Sequence, residues 1–247
     1  MVLVPWLLGW EAPPDLTFIV AAHWGTMVAV LAYFWSDWAG LLNGGLAWLR
    51  ERRTPPSPEG RFLFLLIIGT VPAVIVGLLF YDAISVMAER PVLVAVLLLV
   101  TALVLLVGYL AKRPGHSMQE LNWKDGLFIG LAQVLAIFPG ISRSGVTIVA
   151  GRLQGLDSEA AARFSFMLSA PVIFAAGMHS LVDLFHGGDW VLRLPVLAAG
   201  FLSAAAVGYA SIHWLLGFLK RRSTLLFAVY CVLMGGAGLA AAILRGG

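Results

Sequence analysis

The residue with the clearest chemical meaning in this sequence is Arg143, which lies in the segment PGISRSG at positions 139–145. It is the only charged side chain between Asp125 and Arg152, and its surroundings are mostly apolar. An arginine in such surroundings is costly to bury and commonly marks a binding or catalytic site. The alternative is that its guanidinium only satisfies backbone carbonyls where a helix is broken. Arg143 is therefore the first candidate site residue.

The neighbours of Arg143 indicate which kind of ligand it would bind. Gly140 and Gly145 permit backbone conformations that turn N–H groups toward an anion, and a helix that follows presents its N-terminus to the same ligand. Ser142 and Ser144 add hydroxyl donors, or one nucleophile, and the planar fork of arginine matches phosphate oxygens. We predict a phosphate-binding loop in which Arg143, Ser142 and Ser144 are catalytic candidates and Gly140 and Gly145 bind substrate.

Three other polar side chains are weaker candidates. Gln133 either faces the same site, as a substrate-binding residue, or makes an interhelical hydrogen bond. His23 lies within an apolar run and is either a ligand or proton carrier, or a hydrogen-bonded core histidine. Arg163 is interpreted as a cytoplasmic anchor or as the partner of Glu159.

Carboxylates are missing from the places where phosphate chemistry would use them. All 13 Asp and Glu lie in connections or at the ends of apolar runs. No pair of them therefore reaches the middle of a membrane to hold a divalent metal or to act as a general base. The sequence as given predicts no metal ligands, and Arg143 alone predicts binding more readily than catalysis.

The elements that must position this loop are membrane helices. Of the 247 residues, 60% are hydrophobic and 12% are charged, whereas a soluble domain has roughly 25% charged residues. The mean hydropathy of +0.92 agrees, and this composition excludes a soluble globular enzyme. The net charge of +3 comes from basic residues scattered between apolar runs, which argues against a nucleic-acid partner.

Six apolar runs meet or nearly meet the length needed to cross a hydrocarbon core about 30 Å thick. They lack the alternation of barrel strands, so we predict an all-α, polytopic helical bundle. Basic residues cluster in three of the connections and are scarce in two others, which places the basic three in the cytoplasm. The runs are residues 17–35, 62–81, 91–111, 164–184, 194–219 and 225–244.

The segment 125–150 must leave the cytoplasmic side and return to it. Its apolar stretch 126–138 is too short to span the membrane and is broken by Pro139 and Gly140. We therefore predict a re-entrant pair of half-helices with the turn at bilayer depth, where protein or a water-filled cavity must cover the irregular backbone.

A weak internal repeat appears when the sequence is shifted by 146 residues, which aligns Gly9 with Gly155 and Leu7 with Leu153. The loop charges independently give the two paired spans opposite directions. Together these observations predict an inverted repeat with broken helices at a central site. We expect one membrane domain, residues 1–247, with half-repeats of about 1–111 and 112–247, the first of which lacks its re-entrant hairpin.

Several stretches of the sequence closely resemble one protein family. PGISRSG, followed by GRLQGLDSEAAARFSFMLSAPVIFAAG, resembles the undecaprenyl pyrophosphate phosphatases, also called the bacitracin-resistance proteins. LVPWLLGWE, FIVAAHWGTMVAVLAYFWSDW and GTVPAVIVGLLF resemble that family too, so the likeness covers essentially the whole chain. The resemblance implies a multi-pass hydrolase of the bacterial inner membrane whose active site faces the periplasm. It would remove the terminal phosphate of undecaprenyl diphosphate and so recycle the lipid carrier for peptidoglycan synthesis.

By this resemblance, Arg143 matches the phosphate-binding arginine of the family. The family's other half-site has two glutamates four residues apart and a Ser/Thr-rich turn that ends in Gly-His. It supplies metal binding and nucleophile activation, and it has no counterpart here, because Met1 falls just after the place of the histidine. We therefore expect the native chain to start roughly 25 to 35 residues earlier, enough for a re-entrant hairpin at about 1.5 Å per residue.

Two functions stay open on the sequence. The leading one is hydrolysis of undecaprenyl diphosphate, and the alternative is a polyprenyl-phosphate transporter or a non-catalytic lipid-phosphate binder, in which inverted repeats are also ordinary. The expected partners are the polyprenyl diphosphate and the membrane, with a homodimer left open. A divalent cation, Mg²⁺ or Ca²⁺, is implied by the resemblance alone.

Overall fold

The computed structural model describes residues 2–10, 16–51, 57–111, 115, 117–186, 190–220 and 223–245. Every regular element in these ranges is a helix, which confirms the expected all-α fold. Two short 3₁₀ helices, Met118–Glu120 and Leu135–Ile137, lie just before and just after α7. The α-helices are α1 (Leu3–Leu7), α2 (Leu16–Tyr33), α3 (Trp35–Glu51), α4 (Pro58–Leu79), α5 (Tyr81–Ala88), α6 (Pro91–Leu110), α7 (Trp123–Val134), α8 (Arg143–Leu153), α9 (Ser158–His186), α10 (Trp190–Leu219) and α11 (Leu225–Leu244).

The membrane spans agree with the apolar runs of the sequence. Among the described residues, five helices are long and apolar enough to cross a bilayer, namely α4, α6, α10, α11 and the first 21 residues of α9. The α2 and α3 helices, which are bent by 79° where they meet, pass the same test of length and composition only when they are counted together, which gives five or six candidate spans. The protein is therefore a multi-pass membrane protein.

The packing directions of the helices agree with the orientation derived from the loop charges. The α2 and α9 helices are antiparallel, because the ring of Phe34 lies 6.5 Å from that of Phe166 while Trp24 lies 5.8 Å from Phe174. The α9 helix runs parallel to α4, because the Phe62 ring lies 5.7 Å from that of Phe164 and a Cβ atom built on Gly69 would lie 3.0 Å from a Cδ atom of Leu168. The start of α9 thus lies beside the end of α2.

The bend between α2 and α3 corrects the interpretation of Arg163. A nitrogen of its guanidinium lies 2.9 and 3.0 Å from the two carboxylate oxygens of Asp37 in the first turn of α3. The guanidinium also lies 5.2 Å from the centre of the Phe34 ring. Glu159 instead pairs with Lys220, at 3.1 Å. Of the two expected roles, the pairing with Glu159 was wrong because the bend brings Asp37, from another helix, to the guanidinium, and the role as a cytoplasmic anchor stays a prediction.

The α7 and α8 helices form the expected re-entrant hairpin, and they pack against each other. Arg61, in the first turn of α4, donates to the carbonyl of Leu121 just before α7. A Cβ atom built on Gly115, which precedes the hairpin, would lie 3.1 Å from the Cβ of Asp157, which follows it. The hairpin therefore begins and ends at the same end of the bundle.

Capping residues lie at the start of this hairpin and at the start of the helix that follows it. The side chain of Asn122 accepts the Lys124 N–H at 2.9 Å, and the Asp125 carboxylate accepts the Asn122 N–H at 2.7 Å. At the other end, Asp157 accepts the Ala160 N–H at 2.7 Å and so caps α9. Such caps satisfy N–H groups that have no partner within their own helix.

The α4 and α7 helices touch through their backbones. A Cβ atom on Gly130 of α7 would lie 2.5 Å from the carbonyl oxygen of Gly69 in α4 and 2.7 Å from its Cα. Small residues allow this approach, and such close contact is a common way to hold membrane helices together, since lipid offers little hydrophobic driving force.

We expect Gly130→Ala to destabilise the hairpin, because the new methyl group meets backbone atoms that cannot rotate away. The free energy of unfolding should fall by about 1–3 kcal/mol, as for other overpacked sites. Thermal unfolding in detergent measures this effect. The control is Gly77→Ala in α4, where a Cβ would meet no atom within 4 Å. Equal melting temperatures for the two variants would contradict the backbone contact.

The two glycines aligned by the shift of 146 residues end their helices in the same way. Gly9 follows α1 with φ of 70°, and Gly155 follows α8 with φ of 95°. The N–H after each glycine returns to a carbonyl five residues earlier, Trp10 to Pro5 at 3.0 Å and Leu156 to Gly151 at 3.1 Å. This is the Schellman ending of a helix. The likeness supports the inverted repeat, which stays a prediction.

Candidate functional site

The turn between the two half-helices lies directly on α6. Gly140 has φ of 106°, a conformation that L side chains rarely adopt. A Cβ atom at this position would lie 2.4 Å from the Val94 carbonyl oxygen and 2.9 Å from the Cβ of Leu97, both in α6. Glycine is thus required here both by its backbone conformation and by the close approach. That Gly140 also turns N–H groups toward an anion stays a prediction, whereas the same expectation for Gly145 was wrong, because Gly145 lies in α8 and its N–H donates to the Ser142 hydroxyl oxygen.

A threonine of α6 holds the same turn by hydrogen bonds. The N–H of Ser142 donates to the hydroxyl oxygen of Thr101 at 3.0 Å. The Thr101 hydroxyl lies 3.2 Å from the Gly140 carbonyl oxygen and 3.3 Å from that of Leu97, so its single proton is shared between the two. Thr101 is fully buried. Sequence reasoning missed it, although it is a rare polar side chain in the run 91–111.

The N-terminus of α8 begins in this turn. Ser142 is the N-cap, and its hydroxyl oxygen accepts the Gly145 N–H at 3.2 Å while its carbonyl accepts the Val146 N–H at 2.9 Å. The backbone N–H groups of Arg143 and Ser144 have no acceptor among the described residues. The two serine hydroxyl oxygens are 3.5 Å apart. The first turn of α8 therefore offers two backbone donors and the Ser144 hydroxyl to a ligand.

The Arg143 side chain is partly buried and stands at this helix N-terminus. Within the described part of the chain its guanidinium makes no ion pair or hydrogen bond. Arg61 and Arg245, in contrast, each donate to backbone carbonyls. The alternative role for Arg143, satisfying carbonyls at the helix break, is thus not what these residues show. Since a helix N-terminus is also positive, an anion would relieve the charge of both.

Two further hydroxyls anchor the first turn of α8, and sequence reasoning missed both. The Thr147 hydroxyl donates to the Arg143 carbonyl at 2.8 Å and lies 2.6 Å from the hydroxyl of Ser165 in α9. Because the single proton of Thr147 goes to that carbonyl, Ser165 donates to Thr147. Both side chains are buried, so α9 holds the helix that carries Arg143. The one-turn spacing of Arg143 and Thr147 was the available signal.

The weaker candidates lie in helix packing or on the surface. Gln133 is 1% exposed, and its amide donates to the Gly69 carbonyl of α4 at 3.3 Å. The structure thus shows the interhelical bond, and a role of Gln133 in substrate binding stays a prediction. His23 is exposed, and its Nδ1 lies 2.7 Å from the Ile19 carbonyl oxygen one turn earlier in α2.

The described residues do not fit the divalent cation that the resemblance implies. Among them, no group of three or more His, Cys, Asp or Glu side chains could hold a metal ion. Asp37 and Glu159, both near the start of α9, are engaged with basic side chains. We therefore derive no catalytic step through a metal.

Comparison with known proteins identifies the family of the chain. A family model described as "Bacitracin resistance protein BacA" matches residues 1–237. The undecaprenyl-diphosphatase of Desulforudis audaxviator is 41% identical, with 100% of this chain and 90% of that protein covered. The undecaprenyl-diphosphatase of Pelotomaculum thermopropionicum is 40% identical, covering 99% and 89%. That of Moorella thermoacetica is 39% identical, covering 95% and 85%. Since both the family model and these relatives cover nearly all of it, the chain belongs to the bacitracin resistance protein BacA family.

Proposed function

We propose that this protein hydrolyses undecaprenyl diphosphate to undecaprenyl phosphate and inorganic phosphate, and so recycles the lipid carrier for cell-wall synthesis. The observation that carries the proposal is the guanidinium of Arg143, which has no ion pair or hydrogen bond with the described residues and stands at the N-terminus of α8 in the hairpin. The names of the relatives, undecaprenyl-diphosphatase, support hydrolysis over the transporter or binder alternative. Family membership also associates the protein with bacitracin resistance.

The geometry suits a terminal phosphate group. The Arg143 guanidinium, the N–H groups of residues 143 and 144, and the Ser144 hydroxyl together supply donors for its oxygens. The Ser142 oxygen caps α8 as an acceptor, which leaves its O–H proton as a further donor. Donors fixed in this way stabilise the charge on the phosphoryl oxygens as the bond breaks, and such electrostatic stabilisation dominates phosphoryl transfer.

The reaction itself breaks one phosphoanhydride bond. The oxygen of water, or of the Ser144 hydroxyl, attacks the terminal phosphorus, and the bridging oxygen leaves with undecaprenyl phosphate. With serine as nucleophile, water then releases the phosphate from the enzyme in a second step. The proton of the attacking group passes to phosphate or solvent. Arg143 holds the terminal phosphate in place throughout. A divalent cation stays a prediction to which no step is assigned.

We propose further that the site faces the periplasm from the bacterial inner membrane. Arg61, Lys124 and Lys220 lie at the end of the bundle where the hairpin starts, and basic residues favour the cytoplasmic side. From there α7, with 12 residues, carries the turn inward by about 18 Å at the usual rise of an α-helix. This brings Arg143 past the middle of the bilayer, toward the periplasmic side.

Phosphate release by the protein purified from its native gene tests the proposal. We expect undecaprenyl diphosphate in mixed micelles to yield one inorganic phosphate per molecule, and undecaprenyl phosphate to yield none. A transporter or binder would bind the diphosphate without releasing phosphate. That result, from protein that elutes as a single folded species, would overturn the hydrolase proposal.

A further inference from the structure

We propose that Thr101 is a positioning residue for the phosphate site. Its hydroxyl fixes the turn 140–142 and thereby sets the direction of the Arg143 guanidinium and of the first N–H groups of α8. The inference deepens the proposed hydrolase function and rests on it for the kinetic readout. Thr101 belongs to α6, outside the hairpin, and needs no contact with the substrate to act.

The hydrogen bonds of Thr101 reach both sides of the turn. Its oxygen accepts the Ser142 N–H at 3.0 Å, and its proton is shared with the Gly140 carbonyl at 3.2 Å. One side chain therefore ties two backbone groups that are two residues apart. The next residue in the chain is Arg143, so any rotation of the turn moves the start of α8.

Burial makes these bonds hard to replace. Thr101 is fully buried, in a helix that is otherwise strongly apolar. Without its hydroxyl, the Ser142 N–H loses its acceptor and the Gly140 carbonyl loses its donor. Water is scarce at this depth, and irregular backbone in a membrane must find partners within the protein. Unsatisfied groups of this kind are expensive, so the turn would move to find other partners.

The position of Thr101 on α6 strengthens the argument. Val94, Leu97 and Thr101 fall on one face of the helix, at spacings of three and four residues. Val94 and Leu97 lie so close to Gly140 that a side chain at position 140 would have no room. Thr101 bonds the backbone on either side of Ile141. This face of α6 is thus a platform for the turn, and Thr101 is its polar contact.

The test compares Thr101→Val with Thr101→Ser. Valine keeps the shape of threonine and removes both hydrogen bonds, so we expect kcat for undecaprenyl diphosphate to fall roughly ten- to a hundredfold, as for a small displacement of catalytic groups. Serine keeps the hydroxyl and should stay within about threefold of the parent. The matched control is Thr70→Val in α4, whose hydroxyl donates only to the Leu66 carbonyl at 2.7 Å; its kcat should not change.

A double-mutant cycle separates positioning from a merely structural role. If Thr101 acts through the loop, Thr101→Val should lower the rate of Arg143→Ala by a clearly smaller factor than it lowers the parental rate, because only the N–H groups of α8 are then left for it to orient. A structural defect alone would lower both backgrounds equally, because independent effects add. Equal losses, or a parental kcat in Thr101→Val, would overturn the inference while leaving the hydrolase function intact. Should the valine variant fail to fold, Thr101→Ala replaces it in both comparisons.

A binding measurement decides the matter independently of turnover. We expect the dissociation constant for undecaprenyl diphosphate to rise at least fivefold in Thr101→Val and to change little in Thr70→Val. If the parent protein binds the lipid but releases no phosphate, the hydrolase proposal fails and this comparison still tests Thr101. Equal dissociation constants for Thr101→Val and the parent would then overturn the positioning role.

Discussion

Arg143→Ala is expected to lower kcat/KM for undecaprenyl diphosphate by roughly a thousandfold, the lower end of the range for a phosphate-stabilising arginine. The side chain has no hydrogen bond or ion pair with the described residues, so its removal breaks no internal contact of that kind. Folding should therefore be retained, and the melting temperature should stay close to that of the parent. Initial rates of phosphate release and thermal unfolding of the same preparation give the two values.

Two other substitutions sharpen this prediction. Arg143→Lys keeps the charge but loses the planar fork, so its rate should lie between those of the parent and the alanine variant. Arg50→Ala removes an exposed arginine in the last turn of α3, which does not contact the Arg143 loop, and should leave the rate unchanged. Phosphate release by Arg143→Ala at close to the parental rate would rule out the role given to this arginine.

Gly140→Ala should cost both stability and activity. The backbone conformation at φ of 106° costs a side-chain-bearing residue about 1–3 kcal/mol. The new methyl group would also lie 2.4 Å from the Val94 carbonyl oxygen, so the turn must move away from α6. We expect a lower melting temperature together with a loss of kcat of roughly a hundredfold, because catalysis is sensitive to displacements near 1 Å.

Gly236→Ala in α11 is the matched control for Gly140→Ala, since a Cβ there would meet no atom within 4 Å. Its melting temperature should equal or slightly exceed that of the parent, as alanine favours the helix more than glycine does. A Gly140→Ala protein with parental stability and parental kcat would show that the turn does not depend on glycine at this position.

Features of the fold that depend on a local sequence pattern could be predicted. The hairpin was predictable because Pro139 and Gly140 interrupt an apolar stretch too short to span a bilayer. The helix directions were predictable because basic residues mark the cytoplasmic connections. The α3 helix was not predicted, because its polar and glycine residues, such as Asn43 and Gly44, are typical of a connection. Its helix forms where the chain bends by 79° after α2.

Features that depend on contacts between distant helices could not be predicted. Thr101 bonds a turn about 40 residues away, and Asp37 pairs with Arg163, which is 126 residues away. Neither partner has a fixed spacing, because the meeting depends on which helices become neighbours in the bundle. The Arg143 loop was found from its residue types alone, whereas the groups that hold it come from α6 and α9.

In the proposed function, the backbone contact between α4 and α7 also sets the depth of the Arg143 loop in the membrane. Gly130 fits against Gly69 at one register only, because a shift of α7 by a single residue would bring Ile129 or Leu131 into the same space. A shift by a whole turn would displace the Arg143 loop by about 5.4 Å along the bilayer normal. Because neither Gly69 nor Gly130 has a side chain, their contact sets the depth at which a lipid headgroup would meet the Arg143 loop.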